Sequence, residues 1–319
     1  MTIRKPFTAI IGAGQVGATT AQRILEKGLS DVVLFDVVEG MPQGKALDLM
    51  EAAPIEGHDR RILGTNRYED IRGAEIVVVT AGLPRKPGMT REDLLNLNAK
   101  IMGEVCQNVK AQAPDSKLII VTNPLDIMTY LAFRVTGFPS ERVFGMAGVL
   151  DTARMRYFIA ENLGGVPKDV EAMVLGGHGD LMVPVSSHSK LKGKPVRELI
   201  PAPDLTKIEQ RTRDGGAEIV ALLKTGSAFY APASSVTAMV ESVLKDQKKV
   251  LPVCAYMRGE YSLKDIYFGV PAQIGAKGVE KVVEISLGEE EKKSLFRSAD
   301  KVKQGIEEIQ RLVLAGTNA

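Results

Sequence analysis

The stretch from Phe7 to Asp36 most constrains what this chain can fold into. It reads as an apolar run (Phe7, Ala9, Ile10, Ile11), the turn Gly12-Ala13-Gly14-Gln15-Val16-Gly17, a helix-compatible segment to about Lys27, and a second apolar run from Val32 to Phe35 that ends in Asp36. In a strand–turn–helix each glycine has a job: Gly12 allows the tight turn, Gly14 lets the backbone approach a pyrophosphate, and Gly17 lets the helix lie close to the strand. The helix N-terminus then aims free N–H groups, and the positive end of its dipole, at phosphate. Asp36 follows the glycines at about 20 residues, the spacing of a carboxylate that accepts hydrogen bonds from a ribose diol. Val37-Val38-Glu39 supplies no cation for a 2′-phosphate, so NAD is favoured over NADP. A glycine-rich turn also arises for steric reasons alone; here a strand, a helix and a spaced acid accompany it.

A chain of 319 residues is long for one core and comfortable for two domains. Its net charge of +2, from 41 basic and 39 acidic residues, gives no global electrostatic argument for nucleic acid or an anionic membrane. No run of 18 or more apolar residues occurs, so no membrane span is expected. The N-terminus leads straight into the first strand without a signal-peptide pattern. Cys106 and Cys254 fit no metal-ligand or redox spacing, so buried thiols and a cytoplasmic location are expected.

Further along, helical character at Lys45–Ala53 precedes strands near Arg61–Leu63 and at Ile76–Thr80, a helix over Leu94–Ala111, a strand over Leu118–Val121 and a short one at Arg142–Phe144. The short, β-branched, wholly apolar runs suit parallel strands covered on both faces. Their alternation with helices implies right-handed crossovers and a doubly wound parallel sheet. Ligands then bind beyond the C-terminal strand ends, where Asp36, Thr80, Asn123 and the loop after Gly82 fall. From about residue 148 the pattern changes to that of an α+β unit. It comprises a helix (Thr152–Leu163), a strand at Val170–Leu175 ahead of Gly176-Gly177-His178-Gly179-Asp180, and hairpin signals at Val183–Ser187 and Lys190–Val196. Helices at Asp204–Thr225 and Ala233–Lys245 follow. Strands at Lys249–Met257, Ile266–Gln273 and Val279–Ile285 precede a terminal helix over Gly288–Leu314. Domains at 1–147 and 148–319 are expected.

Three features could carry chemistry. The loop Leu83 to Arg91 holds Arg85, Lys86 and Arg91 among prolines and a glycine; it reads as a solvated basic loop or as a lid whose arginines bind a carboxylate. Asp151 and Arg154 share one face of a helix start, where Asp151 is equally well an N-cap. His178 stands between glycines, accessible, and histidine is a competent proton donor and acceptor near neutrality; an isolated histidine is also often structural.

These pieces, with Ala81-Gly82, Thr122-Asn123-Pro124 and Leu150 to Arg154, occur in the order of the lactate/malate dehydrogenases, which the chain resembles over essentially its full length. The nearer resemblance is to the bacterial lactate-dehydrogenase-like malate branch. It implies a Rossmann domain followed by an α+β substrate domain, with NAD as cofactor bound by Gly12, Ala13, Gly14, Gln15, Val16, Gly17, Asp36, Thr80, Asn98, Val121 and Asn123. It implies that His178 exchanges a proton with the substrate oxygen, that Asp151 orients the imidazole, and that Arg154 clamps the adjacent carboxylate. Arg91 would polarise the carbonyl and Asn123 would touch the substrate. Arg85 would face the group on C3, where an arginine suits a second carboxylate, and a small Ala228 at the back of the pocket agrees with it. Malate is thereby favoured over lactate. A lactate or broader 2-hydroxy acid dehydrogenase, and a non-catalytic NAD-binding sensor, are the alternatives. No metal is called for, the substrate is the only partner besides other copies of the chain, and a homodimer or homotetramer is implied. His58 and His188 match no motif position and are expected to be exposed and non-catalytic.

Overall fold

The glycine turn and its flanking strands are the centre of the observed sheet. A computed structural model describes residues 2–83 and 90–316. In its first half, strands β1 (Phe7–Ile11), β2 (Asp31–Phe35), β3 (Ile62–Thr65), β4 (Ile76–Val79), β5 (Lys117–Ile120) and β6 (Val143–Gly145) alternate with helices. These are α1 (Gln15–Glu26), α2 (Met41–Glu56), α3 (Arg91–Gln112) and α4 (Leu125–Thr136). The six strands are parallel and lie in the order 3-2-1-4-5-6. Strand order reverses between β1 and β4, so a crevice opens beyond their C-terminal ends, at Gly12 and Thr80. Every residue of β1, β2 and β4 is buried, as strands covered by helices on both faces require.

Two helices start earlier than the sequence patterns suggest. Pro42 sits in the first turn of α2, a place where its missing N–H costs nothing, so the Gly40–Gly44 segment is mostly helix rather than loop. Helix α3 begins at Arg91 because Thr90 and Asp93 form a reciprocal capping box.

The second half is built onto the edge of the same sheet. Helix α5 (Gly148–Leu163) is followed by two short strands, β7 (Val170–Glu171) and β8 (Val174–Gly176), where one was expected; they belong to different sheets. Strand β9 (Met182–Pro184) pairs with β8, and β10 (Lys190–Leu191) with β7 and β11 (Lys194–Pro195). After α6 (Val196–Leu199), α7 (Ala202–Leu223) and α8 (Tyr230–Leu244) come two long antiparallel strands, β12 (Lys249–Arg258) and β13 (Lys264–Gly275), then β14 (Gly278–Val282) and the terminal α9 (Glu289–Gly316). Strand β12 joins the edge of the parallel sheet, antiparallel to β6 with Cys254 opposite Gly145, so one nine-stranded sheet runs through both halves. The main core is accordingly continuous, from Ile10 and Val78 to Phe268 and Ile306.

Gly17 is fixed by close approach. A Cβ there would lie 1.9 Å from the Gly12 carbonyl oxygen, whereas one on Gly14 would meet nothing within 4 Å. Gly17→Ala should therefore destabilise the fold by about 1–3 kcal/mol, while Gly14→Ala should stay within about 0.5 kcal/mol of the parent. Thermal unfolding of both variants checks this; equal losses would contradict it.

Candidate active site

The sequence candidates converge on the C-terminal edge of the parallel sheet. At the first turn, the N-cap of α1 is Gly14, which makes no side-chain capping bond. The first-turn N–H groups of α1 are therefore available to an anion. Since no neighbour demands a glycine at position 14, the open space above it suits a ligand's phosphates. Asp36 accepts Ala13 N–H at 2.7 Å and Val38 N–H at 3.0 Å, one on each oxygen. Each oxygen keeps a lone pair for further donors such as a ribose diol. These features fit a dinucleotide.

Other candidates contribute through the backbone. The Thr80 hydroxyl bonds the carbonyls of Ile11 and Gly12 and steadies the turn. Asn98 is buried, with its amide engaged by Leu83 N–H, Leu83 O and Asn123 O. It staples the segment after β4 to the segment after β5, leaving Val121 half-buried and Asn123 exposed at the crevice. Gln15 and Val16 open α1.

The second cluster comes from α5 and the turn after β8. Asp151 is the fourth residue of α5, whose N-cap is Ala147, so the capping alternative falls away. Its side chain is 2% exposed. One carboxylate oxygen meets His178 Nδ1 at 2.9 Å and the other meets Arg154 Nη1 at 3.4 Å. A carboxylate at Nδ1 selects the tautomer with the proton there, which leaves Nε2 to face a substrate. The turn is pinned from further sides: Gly177 N–H donates to Ser298 Oγ of α9 at 2.9 Å, and His178 N–H donates to Asp126 of α4 at 2.9 Å.

Burial pushes the His178 pKa down, but the charge and hydrogen bond of Asp151, joined by the charge of Asp126, outweigh it against opposition from Arg154. The pKa stands above the ordinary imidazole value. Burial lowers the Arg154 pKa, opposed by Asp151; an arginine stays charged regardless. Its Nε is buried against α7 and, among the described residues, has no partner. The stem of Arg154 crosses α7 where Gly215 and Gly216 leave room; a Cβ at Gly215 would lie 3.0 Å from its Cδ.

Arg85 lies outside the described residues, and Arg91 opens α3 with its side chain outside the description. Ala228 is half-buried between α7 and α8. His58 and His188 are half-buried rather than exposed: His188 Nε2 approaches Ser286 O at 2.5 Å, and His58 Nδ1 is buried. Sequence reasoning missed Asp126 and also Lys45, whose ammonium donates to Ala13 O at 2.7 Å. Among the described residues no group of side chains could hold a metal, and no helix is long and apolar enough to cross a membrane.

The profile of the lactate/malate dehydrogenase NAD binding domain matches residues 8–145, and that of the family's alpha/beta C-terminal domain matches residues 148–313. The chain belongs to the lactate/malate dehydrogenase family. It is similar to the malate dehydrogenase of Nostoc punctiforme, 55% identical over 98% of this chain and 96% of that one. It also resembles the apo malate dehydrogenase of Picrophilus torridus (43% identical, 97% and 99% covered, TM-score 0.95). The lactate dehydrogenase of Cryptosporidium parvum, complexed with lactic acid and NAD, is similar too, at 41% identity, 97% and 99% coverage and a TM-score of 0.93. The family's Rossmann domain and α/β C-terminal domain are the two halves described above.

With Asp151 beside it, the imidazole can hold a proton at higher pH than it could alone. Asp151→Asn should cut turnover by about 10²–10⁴-fold, the range for general acid–base groups, and shift the rate profile towards acid, while NADH affinity measured by fluorescence stays within a few-fold. Turnover and profile both unchanged would remove Asp151 from the site.

Proposed function

We propose that the chain is an NAD-dependent malate dehydrogenase that interconverts (S)-malate and oxaloacetate, with residues 1–147 binding the dinucleotide and residues 148–319 shaping the substrate site. The observation that carries this reading is the cluster of buried Asp151 with half-buried His178 and Arg154: an orienting carboxylate, the proton donor it holds and a guanidinium beside it, meeting at the sheet's C-terminal edge. Gly12, Ala13, Gly14, Gln15, Val16, Gly17 and Asp36 would hold the adenosine and pyrophosphate, with Thr80, Asn98, Val121 and Asn123 towards the nicotinamide end. When bound, the nicotinamide supplies the hydride chemistry. His178 Nε2 gives its proton to the C2 oxygen as oxaloacetate is reduced and recovers it from malate's hydroxyl in reverse. Asp151 stabilises the imidazolium, and Arg154 holds the carboxylate beside C2 by charge-assisted hydrogen bonds. Arg91 polarises the carbonyl as negative charge develops on its oxygen.

Arg85 selects the substrate. Once a closed site excludes water, a guanidinium there needs an anionic partner; oxaloacetate's far carboxylate would supply one and the methyl of pyruvate would not. The malate dehydrogenase names of relatives at 55% and 57% identity support the same choice, as does a small residue at 228. Exposed apolar side chains on α2 (Leu47, Ile55) and at the end of α7 (Leu222, Leu223) support assembly as a homodimer or homotetramer. Two buried free thiols support a cytoplasmic location.

Following NADH absorbance with oxaloacetate and with pyruvate tests the reading. The kcat/KM for oxaloacetate should exceed that for pyruvate by about 10²-fold or more, and Arg85→Gln should weaken transition-state binding of oxaloacetate by about 2–5 kcal/mol. Equal efficiency on the two acids would refute the assignment.

A further inference from the structure

Asp151 is one of two carboxylates that hold the histidine. Asp126, in the first turn of α4, is 5% exposed. Its Oδ2 accepts His178 N–H at 2.9 Å, and its Oδ1 accepts the Cys254 thiol at 3.3 Å. Both bonds are donated to the carboxyl, the arrangement that suits an anion. Burial, the largest influence, leaves the Asp126 pKa above the ordinary carboxylate value; the His178 N–H, the Cys254 thiol and the charge of an imidazolium oppose that rise and favour the anion. The charged groups that act on His178 are Asp151 and Arg154 from α5 and Asp126 from α4, with Asp180 two residues along the same turn. Ser298 of α9 and Cys254 of β12 complete the packing as neutral groups. An asparagine at 126 could accept the same backbone N–H, so holding the turn does not by itself require an acid.

We propose that Asp126 is a positioning residue for the reaction, tying the first half of the chain to the His178 turn and, as an anion, supplying a second counter-charge for the imidazolium. This rests on His178 as the proton donor. The sign follows from the charge: neutralising Asp126 destabilises imidazolium and lowers the His178 midpoint. Oxaloacetate reduction, which needs the protonated ring, then fails at lower pH than in the parent, and malate oxidation gains on its acid side.

Asp126→Asn and Cys254→Ala, made in the full chain, test this by two readouts: the pH profile of kcat/KM for oxaloacetate, and NMR titration of the histidine Cε1–H signals with NADH bound. The chain has 3 histidines, so His178→Asn assigns the signal. Asp126→Asn should lower the His178 midpoint by about half a unit or more, which cuts the rate above the midpoint about threefold and leaves it within about twofold well below. Cys254→Ala, which removes one donor from the carboxylate, should move the midpoint the same way by less. An unmoved midpoint in Asp126→Asn, with rates reduced equally at every pH, would overturn the proposal. Should that variant not fold, an unmoved midpoint in Cys254→Ala would do so. A parent whose rate profile and His178 titration have different midpoints would instead defeat the proton-transfer reading itself.

Discussion

A 2.9 Å hydrogen bond between the Asp151 carboxylate and His178 Nδ1, made with the carboxylate almost wholly out of water, is the constraint on which the rest depends. Removing a carboxylate from solvent is costly unless donors surround it. Here the imidazole takes one oxygen and Arg154 approaches the other. The same carboxylate lifts the imidazole pKa above its ordinary value, although burial alone would lower it. Stability and chemistry thus ask the same thing of these three side chains: the carboxylate must be paired, and the pairing is what holds a proton ready.

The fold meets that demand by bringing three helices to one turn. Helix α5 carries Asp151 and Arg154, α4 reaches the His178 backbone through Asp126, and α9 reaches Gly177 through Ser298. Strand β12 makes the alignment possible by bonding to β6, so the sheet that carries the glycine turn also carries the scaffold under the histidine. Beyond the strand ends, the Thr80 hydroxyl and the Asn98 amide are spent on backbone. They shape the crevice and leave its open face to Gly14, Asp36 and Asn123.

Where a residue's role follows from local geometry, the sequence displays it. Gly12 and Gly17 mark a turn that admits nothing larger, and the β-branched runs at Ile76 and Leu118 mark strands with no wet face. His178 between glycines is visible because few reasons other than access leave a histidine so unencumbered. Roles that depend on a distant partner are not displayed. Asp126 looks like an ordinary acid in a helix's first turn, and only the approach of the turn after β8 and of β12 to α4 reveals what it holds. Lys45 sits one turn into α2 with nothing in its neighbours to suggest a bond back to Ala13. Gly215-Gly216 reads as a weak point in a helix until Arg154 is seen lying across it. The start of α2 was obscured by Pro42, which breaks helices in their interior but is welcome in the first turn. The junction of β12 with β6 left no trace either, since antiparallel pairing across the sheet edge depends on residues about a hundred positions apart.

A ternary crystal structure with NADH and a non-reducible C4 dicarboxylate bears most directly on the central claim. The account predicts His178 Nε2 at about 3 Å from the ligand oxygen on C2, the neighbouring carboxylate on Arg154, and Nδ1 still bound to Asp151. A ligand seated in the crevice with its C2 oxygen turned from the imidazole, and Arg154 facing no carboxylate, would contradict it.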